Sequence, residues 1–292
     1  MSPFISIFWK WTRCPEKMVK KLTNFDPGYY SEPFKTLCTD YPKSDVYDPL
    51  HFRAEWGPIF HRGRLDGSAK ILVIGQDPAQ HETIVRRILV GEAGRRIQGF
   101  MAKLGITRSY VMINTFLCSA YGNPTAKDRK NPQLVNYRNL WLDALLLGKA
   151  VEGVVALGDR ANEAWQMWKT TTNGKTFQSS YVKITHPTQP ESFSKGNHAK
   201  LAEATKKMLQ NWNSGLQTLA PSISNPDKQT PLVLYGDSFA QDEKSEIPEE
   251  DFPAGLPYWM RENDGWARRV GKTTADKRAN ITITVPKKNL PL

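Results

Sequence analysis

Three polar residues of different chemistry follow apolar runs in this chain. Asp77 comes just after Lys70-Ile71-Leu72-Val73-Ile74-Gly75, Asn114 ends Tyr110-Val111-Met112-Ile113, and His186 follows Tyr181-Val182-Lys183-Ile184-Thr185. A carboxylate can steady a cationic centre or activate water. A primary amide reads a ring edge with a donor and an acceptor, and an imidazole can donate to an oxygen that is gaining negative charge. Together they suit a site that recognises a nucleobase edge while charges separate. Each residue also has a plainer use: Asp77 before Pro78 can close a turn or cap a helix, Asn114 can cap a turn, and His186 before Pro187 can be a satisfied loop histidine.

The elements that must position them follow from periodicity. The apolar run over 71–75 reads as a buried parallel strand, with Gly75 allowing a turn and Pro78 stopping the strand. A helix is expected near 82–89, and another from Glu92 with Ile97, Met101 and Leu104 on one face and Arg95 and Arg96 off it. Next come a strand over 110–114, a loop through Gly122-Asn123-Pro124, and a helix over 132–147. A strand over 153–157 leads into Gly158-Asp159, where Asp159 can cap a helix carrying Trp165 and Trp168. A strand over 181–185 and a helix over 197–212 complete the series. This alternation predicts an α/β fold, a three-layer αβα arrangement around a central four-stranded parallel sheet, whose carboxyl edge collects the three polar residues. Residues 1–69 read as an irregular, partly helical N-terminal extension, 70–215 as the α/β domain, and 216–292 as a C-terminal extension with a late strand near Ile281-Thr282-Ile283-Thr284-Val285.

The 292-residue chain carries a formal net charge of +11, which points first to nucleic acid as a partner, then to an anionic membrane surface or an acidic substrate. Cys14, Cys38 and Cys118 lie far apart, which supports neither a disulfide framework nor a four-cysteine metal or iron-sulfur site, so reduced thiols in a cytoplasmic protein are expected. The run Phe4-Ile5-Ser6-Ile7-Phe8-Trp9 lacks the flanks of a secretory signal, and no stretch is apolar and long enough to span a bilayer. There is no Walker or dinucleotide loop, and the expectation is no cofactor and no metal.

Gly75-Gln76-Asp77-Pro78, Ile113-Asn114-Thr115 and His186-Pro187-Thr188, in that order, resemble the motifs of the uracil-DNA glycosylase superfamily. Gly91-Glu92-Ala93-Gly94 is also similar to a GxAG segment of its iron-sulfur branch, whose cysteine set this chain lacks. The resemblance implies hydrolysis of the N-glycosidic bond of uracil in DNA, with the nucleotide flipped into a pocket and an abasic site left behind. It implies Asp77 and His186 as catalytic residues and Gln76, Ala79, Leu89 and Asn114 as substrate contacts. Thr188, Gln189 and Pro190 would meet DNA, Pro190 as the wedge. Arg86, Arg87, Arg95 and Arg96 are candidates to follow the phosphates, with a solvated helix face as the alternative. The expected partners are uracil-containing DNA, abasic DNA and free uracil, for a monomer.

The chain departs from the family pattern at several positions. Ala79 replaces the tyrosine that excludes thymine, which leaves that task to Gln80 or His81. Leu89 stands where an aromatic ring stacks on the base, Pro190 replaces a leucine wedge with Gln189 and Phe193 as neighbours, Thr188 replaces a serine, and Glu191 adds negative charge. These departures keep other readings open: a protein that retains uracil or abasic DNA with slow turnover, and a glycosylase for another deaminated or mismatched base. A metal hydrolase using Asp77, His81 and His186 is the remaining alternative on residue types.

Overall fold

A computed structural model describes residues 25–262 and 265–286; Cys14 and the run from Phe4 to Trp9 lie outside them. The described helices are α1 (Phe34–Thr39), α2 (Gln80–Val85), α3 (Glu92–Lys103), α4 (Ala126–Arg129), α5 (Pro132–Leu146), α6 (Gly158–Lys169), α7 (Thr172–Thr176), α8 (Gln189–Ser194), α9 (His198–Leu219), α10 (Trp259–Glu262) and α11 (Thr274–Ala279). The strands are β1 (His61–Gly63), β2 (Ile71–Gly75), β3 (Tyr110–Asn114), β4 (Gly153–Leu157), β5 (Ser180–Ile184), β6 (Ala267–Arg268) and β7 (Thr282–Ile283).

Strand β2 is buried along its whole length because both of its faces are covered. Ile71 and Val73 pack with Ile97 and Phe100 of α3 and with Trp212 of α9. Leu72 and Ile74 point the other way, into a core with Trp141 of α5 and Trp165 and Trp168 of α6. Two cores on opposite faces of one sheet make an α/β architecture of three layers.

The sheet has five strands, in the order β1-β3-β2-β4-β5, so the expected four-stranded, wholly parallel sheet is corrected. Four strands are parallel, and β1 pairs antiparallel with β3 through His61↔Ile113 and Gly63↔Val111. Strand β1 is short, and its His-Arg-Gly sequence has no apolar alternation to announce it. It is held instead by charge: Arg62 is fully buried and donates from Nη1 to Asp251 Oδ2 at 2.8 Å, and the Tyr110 hydroxyl donates to the same oxygen at 2.5 Å. Asp251 lies in a 3-10 turn (Glu249–Asp251) far along the C-terminal extension, which therefore packs back on the sheet edge. Asp227 does the same nearby, accepting from the backbone N–H groups of Thr107, Arg108 and Ser109 at 2.8, 2.7 and 2.8 Å.

Several helix ends differ from expectation. The helix expected over 82–89 is α2, which stops at Arg86 in a left-handed conformation (φ 63°). Leu89 turns the chain left-handed again (φ 51°). The reason sits in the next helix: a Cβ at Gly94 would stand 1.6 Å from the Leu89 carbonyl oxygen, so only glycine lets α3 begin against that turn. Asp159 lies in the first turn of α6 rather than at its cap and pairs with Lys183 at 2.8 Å. Helix α9, capped by Asn197 as its side chain accepts from Lys200 N, continues past Trp212 to Leu219.

Glu82 holds the connection between α2 and α3. Its carboxylate is buried and accepts from the backbone N–H groups of Ala79 and Leu89. Burial pushes its pKa up to about 7 against the pull of those two donors. Glu82→Ala would strand both N–H groups in the interior, and a loss of about 2–5 kcal/mol in unfolding free energy is expected. Denaturant titration of the two proteins checks this.

Candidate active site

The carboxyl ends of the parallel strands do not all meet at one place, because strand order decides which loops share a crevice. After β2 the chain goes to β3 on one side and then crosses to β4 and β5 on the other. The reversal leaves a crevice outside the ends of β2 and β4, the position at which open α/β sheets bind ligands. A cavity of about 900 Å³ opens there, lined by Gln76, Asp77, Pro78 and Ala79 after β2 and by Gly158, Asp159 and Arg160 after β4. Lys183, Thr185, His186, Thr188 and Gln189 at and beyond the end of β5 also line it, together with Asn123 and Arg269.

Asp77 is anchored on both oxygens. Oδ1 accepts from Gln76 Nε2 at 2.9 Å and Oδ2 accepts from the Ala120 backbone N–H at 3.0 Å. Its loop is tied to the one after β3, since Thr115 N donates to Gly75 O and Phe116 N to Gln76 O, both at 2.9 Å. Burial raises the Asp77 pKa above the usual carboxylate range, while the Ala120 and Gln76 hydrogen bonds and the charges of Arg269 and Arg53 pull it back. Arg53 is buried, donating to Ala120 O at 2.8 Å and lying 4.2 Å from the Tyr121 ring centre. Sequence reading missed it, because a lone arginine in an irregular segment carries no signal of burial.

His186 presents a defined tautomer. The Thr188 backbone N–H donates to its Nδ1 at 3.3 Å, and the Thr188 hydroxyl lies 3.2 Å from the same atom. An N–H can only donate, so Nδ1 is the acceptor and the ring proton resides on Nε2. Burial pushes the pKa down to about 4, opposed by the negative charge of Glu191. At neutral pH the ring is therefore an uncharged donor through Nε2.

The structure brings together Gln76, Asp77, Ala79, His186, Thr188 and Gln189, and separates other expected site residues from them. Asn114 does not line the cavity. Strand β3 lies on the far side of β2, and Asn114 instead borders a small space of about 10 Å³ with Tyr47, Tyr137 and Trp141. A Cβ at Gly75 would meet Asn114 Oδ1 at 2.3 Å, so the glycine is there to seat that amide as much as to turn the chain. Asn114 Nδ2 is buried with no hydrogen-bond partner among the described residues. Leu89, expected against the base, is instead 5% exposed and packed in the core beneath α3. Pro190, expected as a wedge, is buried in the first turn of α8, whereas Phe193 of the same helix is 66% exposed.

The four arginines expected to follow phosphates are engaged internally. Arg86 donates to Trp56 O at 2.9 Å and Pro58 O at 2.6 Å. Arg87 pairs with Asp26 at 2.7 Å, and Arg95 with Glu92 at 3.2 Å. Arg96 donates to Pro187 O at 2.5 Å and pairs with Glu191 at 2.7 Å. It thus fastens the His186 loop to α3 and offsets the Glu191 charge that the sequence seemed to bring toward DNA. His81 packs edge-on against Trp266 with ring centres 5.1 Å apart, and no group of three metal-ligating side chains forms among the described residues. No described helix is long and apolar enough to cross a membrane.

No curated protein matches the chain. The family model of the Uracil DNA glycosylase superfamily matches residues 62–213, a span that runs from β1 to α9 and carries both the Asp77 and the His186 loops. A crevice at the sheet's reversal point, an anchored aspartate on one wall and a neutral histidine on the other accord with that match over more than half of the chain, which belongs to the uracil DNA glycosylase superfamily.

Proposed function

We propose that the protein is a DNA repair glycosylase that hydrolyses the N-glycosidic bond of uracil in DNA and leaves an abasic site. The observation that carries this reading is the pairing of Asp77 and a neutral, Nε2-protonated His186 on one cavity. As the bond between C1′ and N1 breaks, its electron pair leaves with the base and positive charge grows on the sugar. The Asp77 carboxylate steadies that charge and takes a proton from the water that adds to C1′. His186 donates from Nε2 to the base oxygen on which negative charge gathers, and solvent then protonates the departed base.

Gln76 is one of the amides that line the cavity, beside Asp77, to which its Nε2 donates, and in this reading it contacts the base edge. Phe193, exposed on α8 beside the His186 loop, is better placed than buried Pro190 to enter the gap left by a flipped nucleotide.

Purified protein incubated with uracil-containing duplex in the presence of a chelator is expected to yield free uracil and an alkali-labile strand. Absence of both removes the reading. Ala79 on the cavity wall, in place of a bulkier side chain, favours a second reading in which a mismatched thymine or a deaminated purine is also released. Duplexes carrying each base in the same sequence context separate the two: release of uracil alone rejects the wider specificity.

A further inference from the structure

One wall of the cavity comes from outside the family-matched segment. Arg269 follows β6 in the C-terminal extension, yet it lines the same cavity as Asp77 and His186. Its position is built rather than incidental. Trp266, 4% exposed, packs against His81 of α2 and donates from Nε1 to Met260 O at 3.1 Å. Strand β6 pairs with β7 through Arg268↔Thr282, and Thr284 N donates to Trp266 O at 2.7 Å. These contacts seat the segment on α2, and Arg269 then donates from Nε and Nη2 to Gln80 Oε1 at 3.3 and 3.1 Å.

The partner of Arg269 is what sets it apart. Arg62, Arg64, Arg87 and Arg96 are each paired with a carboxylate. Of the other cavity-lining cations, Lys183 pairs with Asp159 and Arg160 lies 3.7 Å from Glu163. Arg269 is held by a neutral amide and, among the described residues, forms no ion pair with a carboxylate. The amide takes the Nε–Nη2 edge and leaves Nη1 for a ligand. Arg269 is also exposed, and its charge reaches Asp77.

We propose that Arg269 is a phosphate-binding residue contributed by the C-terminal extension, gripping the DNA backbone beside the nucleotide whose base enters the cavity. The assignment rests on the glycosylase reading above. A phosphate brought to this mouth would meet the Asp77 carboxylate, and a cation fixed at the rim offsets that repulsion without touching the base. A guanidinium with a free edge matches phosphate geometry and gives binding that does not depend on sequence.

The test is binding of the full chain to a duplex that carries an uncleavable tetrahydrofuran abasic analogue, followed by fluorescence anisotropy over a salt series. Arg269→Ala is expected to weaken binding about tenfold at low salt and to reduce the slope of log K against log salt by about 0.9, the loss of one phosphate contact. Arg269→Lys, which keeps the charge, is expected to retain the wild-type slope. A purely structural role for the side chain would lower the melting temperature and leave the slope alone. An unchanged slope in Arg269→Ala, with wild-type protein releasing uracil, overturns the phosphate assignment and spares the glycosylase reading. Wild-type protein that neither releases base nor binds the duplex overturns both.

Discussion

Asp77→Asn is expected to slow base release in a single turnover by about 10³-fold, ~4 kcal/mol at the barrier, while affinity for uncleavable duplex changes by no more than about twofold. The two side chains have nearly the same shape, so the loop should survive; what changes is charge and hydrogen-bond polarity. The carboxylate accepts on both oxygens, from Gln76 Nε2 and Ala120 N–H, and an amide can accept on only one. It also cannot stabilise a cationic sugar or take a proton from water. The pH profile adds a second readout. In the proposed mechanism Asp77 works ionised, and burial raises its pKa, so the rate is expected to rise as pH climbs through that raised value and then level. In Asp77→Asn this acid limb should vanish along with most of the rate. Rapid-quench measurement of uracil release across the acid and neutral range checks both features, and a variant with full activity would remove Asp77 from the chemistry.

How far the site could be read from the chain depended on which physical signal each part leaves. Buried parallel strands leave apolar runs, so β2, β3 and β4 were legible to the residue and β5 to within one. Strand order leaves no such trace. The sequence places Asp77, Asn114 and His186 at the same edge, but only the order β3-β2-β4-β5 shows that the reversal joins Asp77 to His186 and sets Asn114 apart. Strand β1 escaped notice because three residues stabilised by Asp251, reaching back from the C-terminal extension, have no local pattern. The arginines were misread for a related reason. Polar residues between motifs look solvated until the chain brings up distant partners, and here Asp26 and Glu191 claim Arg87 and Arg96. Leu89 likewise stands at the spacing of a base-stacking residue, yet its left-handed turn against Gly94 commits it to the core.

The second large effect is expected at His186. In the proposed mechanism His186→Ala removes the donor to the leaving base, and such donors contribute about 2.7–4 kcal/mol to the barrier, or about 10²–10³ in rate. The size of the effect turns on the ring being preorganised, which the Thr188 backbone N–H ensures by occupying Nδ1. The sign of the pH dependence separates this histidine from a general acid that must be charged. With a pKa pushed down to about 4, His186 is neutral throughout the physiological range, so wild-type activity should show no inflection near the ordinary histidine value of about 6.5. Falling pH should cost activity through protonation of Asp77, whose pKa burial raises. Through the neutral range His186→Ala should therefore run parallel to wild type, displaced downward, whereas Asp77→Asn changes the shape of the curve. A wild-type profile that instead rises as pH falls through about 6.5 would mean that the imidazolium is the working form, because an uncharged donor cannot gain activity by being protonated.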